Sequence, residues 1–288
     1  MRALLGIASL TLAGCAQLLG LEQTTFSPGD AIPDATSVCD GLPAACVATT
    51  GRSICGQLFG TGATADVPLR VTDPTGATCD AANIEGPCGV QVTALPMASF
   101  FDGVATGEVT GQIDDCGRFT VLDVDPAIPE VAVRFSDLAL TLQPSATLVR
   151  NRVPTIGIDQ DIAGYAVLLT TTQEWATQLG VSPDNTSSGY LVRYTAQGIS
   201  LPNEAVAVDS GSALTNPAGT IPWAAYFGAS AFGAIEVGAM VTSTSGTALA
   251  VLPAGPFSLE GFRQGRRCGI MGLRSVANTL IHVIEVDC

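Results

Sequence analysis

There is no lysine anywhere in this chain. All twelve basic residues are arginine, set against 26 acidic ones, for a formal net charge of −14. An acid excess of that size excludes binding to nucleic acid or to anionic lipid head groups through long-range attraction. The cluster Arg263, Arg266, Arg267 and Arg274 is local and reads as a solvated loop. Charge of either sign is scarce: 13% of residues carry it, against about 25% in typical soluble chains. Lysine-free basic composition speaks of a GC-rich genome more than of a function.

Histidine is scarcer still, since His282 is the only one. Tetrahedral zinc ligation draws on several imidazoles or closely spaced thiols, and no C-x-x-C occurs, so no metal site is expected. Serine hydrolase chemistry is disfavoured in the same way: no G-x-S-x-G is present and His282 is the sole imidazole base. His282 itself falls in the strand-like run Thr279–Val286 and reads as structural. The acid pairs Asp114/Asp115 and Asp123/Asp125 could offer oxygens to calcium, but the spacing is not that of an EF-hand and the turn reading wins. No catalytic set and no cofactor are expected.

Cysteine, by contrast, is plentiful, with nine residues. The first of them, Cys15, ends a leader: Met1-Arg2 carries one positive charge, and Ala3 to Leu12 carries none. A charged start, a short apolar run and small residues before a cut describe a secretory signal, too short to span a bilayer. Leu12-Ala13-Gly14-Cys15 matches the lipobox of bacterial lipoprotein signal peptides. The resemblance implies cleavage before Cys15, diacylglycerol on its thiol and N-acylation, so that the bilayer is the first partner. Two or more acyl chains make anchoring stable where one is marginal. Ala16 follows; the absence of Asp there favours the outer membrane of a Gram-negative bacterium.

Setting Cys15 aside leaves Cys39, Cys46, Cys55, Cys79, Cys88, Cys116, Cys268 and Cys288, an even number in an exported chain and hence a disulfide framework. Eight thiols allow many connectivities. Local spacing suggests Cys39–Cys46 and Cys79–Cys88; Cys268–Cys288 would tie the last strand, and Cys55–Cys116 would remain.

The expected organisation is a signal peptide over 1–14, a Pro-, Gly- and Asp-rich lipidated tether over 15–38, a first β-sandwich over 39–142, a connector with one short helix over 143–185, and a second, divergent β-sandwich over 186–288. Short strands broken by turn residues carry this all-β reading: two tandem disulfide-stapled β-sandwich modules. Ile54–Phe59, Val67–Val71, Gly89–Ala94, Gly117–Val121 and Val131–Phe135 are the strands of the first. With Asp115-Cys116-Gly117-Arg118-Phe119-Thr120-Val121 at its centre, this stretch resembles the transthyretin-like, carboxypeptidase-regulatory-like β-sandwich over about residues 52–142. In that family a D-x-G-x-F/Y-x-hydrophobic signature marks a tight turn into a core strand. Glycine tolerates the turn and the aromatic begins the inward face. Cys79 and Cys88, in a long loop, depart from the family pattern.

The connecting helix is expected from Thr171-Thr172-Gln173-Glu174, which has capping-box form, with Trp175, Ala176 and Leu179 on one face and Gly180 at the end. Gly189–Tyr194, Ala205–Val208 and Thr244–Val251 repeat the turn-and-strand pattern of the first half.

Two stretches carry alternatives. Asp209-Ser210-Gly211-Ser212 is similar to the D-[ST]-G-[ST] loop of aspartic proteases, whose chemistry needs two carboxylates; with no second copy, Asp209 would act only in a homodimer. A polar hairpin turn is the simpler reading. Ile221 to Met240 approaches the length and hydropathy of a spanning helix, but Pro222, several Gly and Glu236 oppose it. The run reads as a long, aromatic-bearing loop of the second sandwich: if exposed, Trp223, Tyr226, Phe227 and Phe232 would form a contact patch for another envelope protein or a glycan, though burial of such residues in the core is the more frequent outcome. The function expected is therefore a membrane-anchored lipoprotein in a non-enzymatic binding or envelope-structural role. The alternatives are the Asp209 hydrolase and a membrane-inserted envelope component.

Overall fold

The computed structural model describes residues 46–47, 51–62, 67–77, 79, 87–150, 158–180, 188–195, 213–215, 223–252, 256–263, 266–274, 276 and 278–287. In chain order the first elements are β1 (Arg52–Phe59), β2 (Val90–Pro96), α1 (Met97–Asp102), β3 (Val109–Thr110), β4 (Gln112–Ile113), β5 (Arg118–Val124) and β6 (Glu130–Asp137). Then come β7 (Leu142–Gln143), β8 (Ser145–Arg150), β9 (Ile158–Tyr165), β10 (Val167–Leu168) and α2 (Leu169–Leu179). The last third holds β11 (Ser188–Thr195), β12 (Ala213–Thr215), β13 (Trp223–Tyr226), β14 (Thr247–Leu252), β15 (Pro256–Arg263), β16 (Arg266–Arg274) and β17 (Leu280–Asp287).

The strands make open sheets, and the chain is all-β in character, with two short helices among the described residues. An eight-stranded sheet runs β13-β14-β11-β17-β8-β6-β2-β3, a four-stranded one β4-β5-β1-β9, a three-stranded one β12-β15-β16, and β10 pairs with β7. Alternation along the central strands explains how one sheet is buried on both faces. On the inner face Ile54, Leu58, Phe119 and Val121 of the four-stranded sheet meet Val90, Val92, Val131, Val133 and Phe135 of the large one. Phe119 and Phe135 touch edge to face, ring centres 5.1 Å apart, across that interface. On the outer face, the other parity of the same strands gathers Leu95, Ala132, Leu148, Tyr190, Tyr194 and Ile281 with Met97 and Phe100 of α1. Burying each such large side chain contributes about 1.5–3 kcal/mol.

Gly56 is a point of close approach in the four-stranded sheet. A Cβ there would lie 1.9 Å from the Ile162 carbonyl oxygen, so the parallel approach of β9 to β1 demands glycine.

The disulfide-stapled sandwich architecture expected from the sequence is present, with differences in how its halves are joined. The stretch 143–185, expected as a connector, supplies β8 to the eight-stranded sheet and β9 to the four-stranded one. Leu280–Val283 pairs in parallel with Ser145–Leu148, so strands from both halves lie in one sheet. Helix α1 was not expected. Helix α2 lies where the sequence put it and buries Trp175 and Ala176, ending at Gly180 with φ 64°. Its N-cap is Leu168 with no side-chain bond, so the Thr171–Glu174 capping box does not form: the helix begins three residues earlier. Val67–Val71 is no full strand either. Pro68, which has no N–H to donate, makes only an isolated bridge with Phe59.

The pairing of cysteines needs a correction. Cys79–Cys88 forms as expected, but Cys46 is bonded to Cys55, with Cα atoms 6.0 Å apart. Neither Cys39–Cys46 nor Cys55–Cys116 therefore exists, although Cys116 is itself disulfide-bonded. The physical reason is the path of the chain beside β1, where the Ser53 hydroxyl donates to the Val47 carbonyl at 2.7 Å and holds that segment against the strand that carries Cys55. Cys15, Cys39 and Cys288 lie outside the described residues; Cys268 is on β16, where only the backbone is described.

Candidate functional site

The stretch singled out as a contact patch is interior. Tyr226, Phe227 and Phe232 are buried, the latter two without measurable exposure. Phe227 stacks edge-on against Trp175 of α2 at 5.1 Å and against Phe232 at 5.5 Å. The contact patch that exposure would have made therefore does not form at those three residues; they belong to the core. Alternation at the end of β13 sends Tyr226 to the outer core and Phe227 to the inner one, and the turn that follows folds Phe232 back beneath α2. The side chain of Trp223 is outside the described residues. The spanning-helix alternative for this run is also set aside: 223–226 is strand and turns follow. Among the described residues no helix is long and apolar enough to cross a membrane.

Inner-face packing converges on His282. The ring is 2% exposed and lies 4.3 Å from Tyr165 and 5.1 Å from Phe232, centre to centre. Its Nδ1 is 3.5 Å from the Thr147 hydroxyl, which donates to the Ala163 carbonyl. Burial holds its pKa down, from 6.5 to about 3; the positive charge of Arg193 adds to that, and the Ala163 carbonyl opposes it. An imidazole kept neutral and walled in by aromatics has no path to a solvent-borne substrate. The structural role expected for His282 is the one its geometry supports.

The acidic pairs are occupied by turns. Asp114 accepts from the backbone N–H of Cys116 at 3.0 Å and of Arg118 at 2.9 Å, and from the Arg118 Nε at 2.7 Å. Gly117, with φ 73°, closes this turn into β5, and Phe119 is the first inward aromatic. Asp125 likewise accepts from the Ala127 N–H at 2.9 Å. Asp114, Asp115 and Cys116 offer ligand atoms within 4.8 Å of one another. The sulfur, however, is in a disulfide and Asp114 is bonded to the turn, so this is the cement of a hairpin. Asp209 lies outside the described residues.

An open groove of about 570 Å³ lies elsewhere, at the free edge of the sandwich. It is lined by Val90, Gln91, Val92 and Thr93 of β2, by Glu108 and Gln112, and by Pro74 and Thr75 of the turn before β2. Sequence reasoning missed it. The signal was there in Glu108-Val109-Thr110-Gly111-Gln112-Ile113, a strand pattern interrupted by glycine, which marks a bend. Gly111 is where the chain leaves one sheet for the other: a Cβ there would come within 2.5 Å of the Thr120 carbonyl oxygen.

No protein-family model matches the sequence. No curated protein matches it either. Among solved structures, the chain is similar to the Bacillus anthracis TIE protein, with 10% identity over 82% of this chain and 33% of that one, at a TM-score of 0.21. A Streptococcal ancillary pilin gives 12% identity over 82% and 68%, at 0.22. The shaft pilin SpaA from Lactobacillus rhamnosus GG gives 10% over 81% and 96%, at 0.23. The chain thus spans about a third of the TIE protein. Scores at this level carry no functional argument.

Proposed function

We propose that this chain is an exported, lipid-anchored protein of the bacterial envelope whose role is binding or structural support, not catalysis. The observation that carries the reading is the pair of disulfides Cys46–Cys55 and Cys79–Cys88, which suit an oxidising compartment outside the cytoplasm. Leu12-Ala13-Gly14-Cys15 supplies the route there and the means of attachment, through acylation of Cys15 to the bilayer, on the outer membrane of a Gram-negative cell. Among the described residues, the side chains best able to do chemistry support the non-enzymatic half. His282 is sealed in the core, and Asp114 is bonded within its own turn. Another envelope protein or a glycan is the class of partner proposed. Cys15→Ser tests the anchor: the variant should remain unprocessed and take up no labelled palmitate, while the parent is labelled and sediments with membranes. Equal labelling of the two would sink the reading.

A further inference from the structure

The groove beside β2 has an unusual lining. Four successive residues of a single strand, Val90 to Thr93, contribute to it. Neighbouring residues of a strand point to opposite faces, and here Val90 and Val92 belong to the inner core while Gln91 is exposed. A depression on either face would be lined by every second residue. One lined by both sets runs along the strand's edge.

That edge is incompletely paired. β2 is bonded to β6 along its whole length, Val90 opposite Asp137 through Pro96 opposite Val131. On its other side β3 covers only Thr93 and Ala94. The Gly111 N–H then donates to the Val92 carbonyl at 2.8 Å, and the chain departs into β4 to pair with β5 of the other sheet. Because the Val92 carbonyl points away from β6, so does its N–H, and by the two-residue period so do the N–H and carbonyl of Val90. These three main-chain groups lie on the groove side of β2 with no partner among the described residues, in residues that are themselves only 4% (Val90) and 1% (Val92) exposed, so little of either is open to solvent. Unpaired donors and acceptors at strand spacing are a template for another strand.

The geometry points to an extended polypeptide segment of a partner protein as the occupant, added antiparallel or parallel to β2 where β3 leaves off. Charge decides among polypeptides. Glu108 lines the groove and its carboxylate has no ion-pair partner among the described residues. A second copy of this chain, with its net charge of −14, would bring like charge to it. A segment with an arginine or lysine facing Glu108 fits. Oligosaccharide is disfavoured by the lining, which among the described residues offers no aromatic ring as a stacking platform. This inference rests on the binding reading above and is independent of the lipid anchor.

The test uses the isotope-labelled full chain and blocked heptapeptides that alternate Thr and Val around a central Arg. Binding should saturate and shift the amide resonances of Val90 and Val92. Two isomers carrying N-methyl groups on opposite edges of the peptide should differ: one binds like the parent, the other at least about tenfold more weakly, because only one edge donates to β2. Replacing the central Arg with Glu should weaken binding several-fold, and Glu108→Gln should remove that difference. The inference is overturned if the Arg peptide fails to bind at millimolar concentration or if both methylated isomers bind equally. It is also overturned if the shifts map away from β2, or if chito-oligosaccharides move the same amides and peptides do not. Each of these outcomes leaves the palmitate result for Cys15 untouched, so the two readings fail separately.

Discussion

Thr147 and His282 sit opposite each other on the parallel strands β8 and β17, hydroxyl to Nδ1 3.5 Å. That pairing joins the two halves of the chain within the eight-stranded sheet, and it carries the protein's only imidazole into the core. In the unfolded chain His282 takes a proton near its ordinary value of 6.5, whereas in the folded chain burial first, and Arg193 second, delay protonation to about 3. Between those values the unfolded state binds more protons, so stability is intact above pH 6.5 and falls as pH drops toward 3. The slope from this one group is about 1.4 kcal/mol per pH unit at its steepest. His282→Gln should flatten the pH dependence of urea unfolding in that window even if it lowers stability at pH 8. An unchanged slope would show that the ring titrates in the folded state as it does in water.

Phe232 discriminates core from surface most directly. It is buried between Tyr165, at 4.7 Å and edge-on, and Phe227. Phe232→Ala should cost about 3–5 kcal/mol, lowering the urea midpoint with little change in m. A loss under about 0.5 kcal/mol would match a surface aromatic.

What the sequence made legible follows from locality. β2 announces itself through Val90, Val92 and Ala94 alternating with Gln91 and Thr93, and the turn into β5 through Asp114 and Gly117, all within reach of one another along the chain. Helix α2 was legible from Trp175, Ala176 and the closing Gly180. β8 was not, because Thr147 lies buried where an apolar residue would have completed the strand pattern. Its hydroxyl is satisfied by the Ala163 carbonyl, a partner no local pattern reveals. The parallel pairing of β8 with β17 links residues about 135 positions apart and leaves no local trace. The aromatic run after Ile221 was legible as apolar, but its place in the core is set by Trp175 and Tyr165, which are distant in sequence.

The disulfide correction is checkable without a stability measurement. Non-reducing proteolysis followed by mass spectrometry should return one linked pair containing Cys46 and Cys55 and another containing Cys79 and Cys88. A Cys55–Cys116 pair would contradict the structure. Each bridge closes a short loop, with a sequence separation of 9. Replacing Cys46 and Cys55 together with alanine should therefore destabilise the fold by about 2–3 kcal/mol.

Gly56 gives the sharpest backbone test of the four-stranded sheet. It stands on β1 between the antiparallel β5, where Phe119 is its partner, and the parallel β9, where Ile162 is. The added methyl of Gly56→Ala would meet the Ile162 carbonyl oxygen at 1.9 Å and the Phe119 ring at 2.7 Å. The ring can turn, but the carbonyl belongs to a strand bonded along β1 and moves only if β9 moves with it. The substitution should destabilise by at least about 2 kcal/mol, a cost set by overpacking and not by lost burial. Amide exchange should locate the damage: protection should fall along β9 and β1 while β6 and β8 keep theirs. Uniform loss of protection would instead make the two sheets one cooperative unit, and unchanged stability would mean that β9 does not lie against β1 at all.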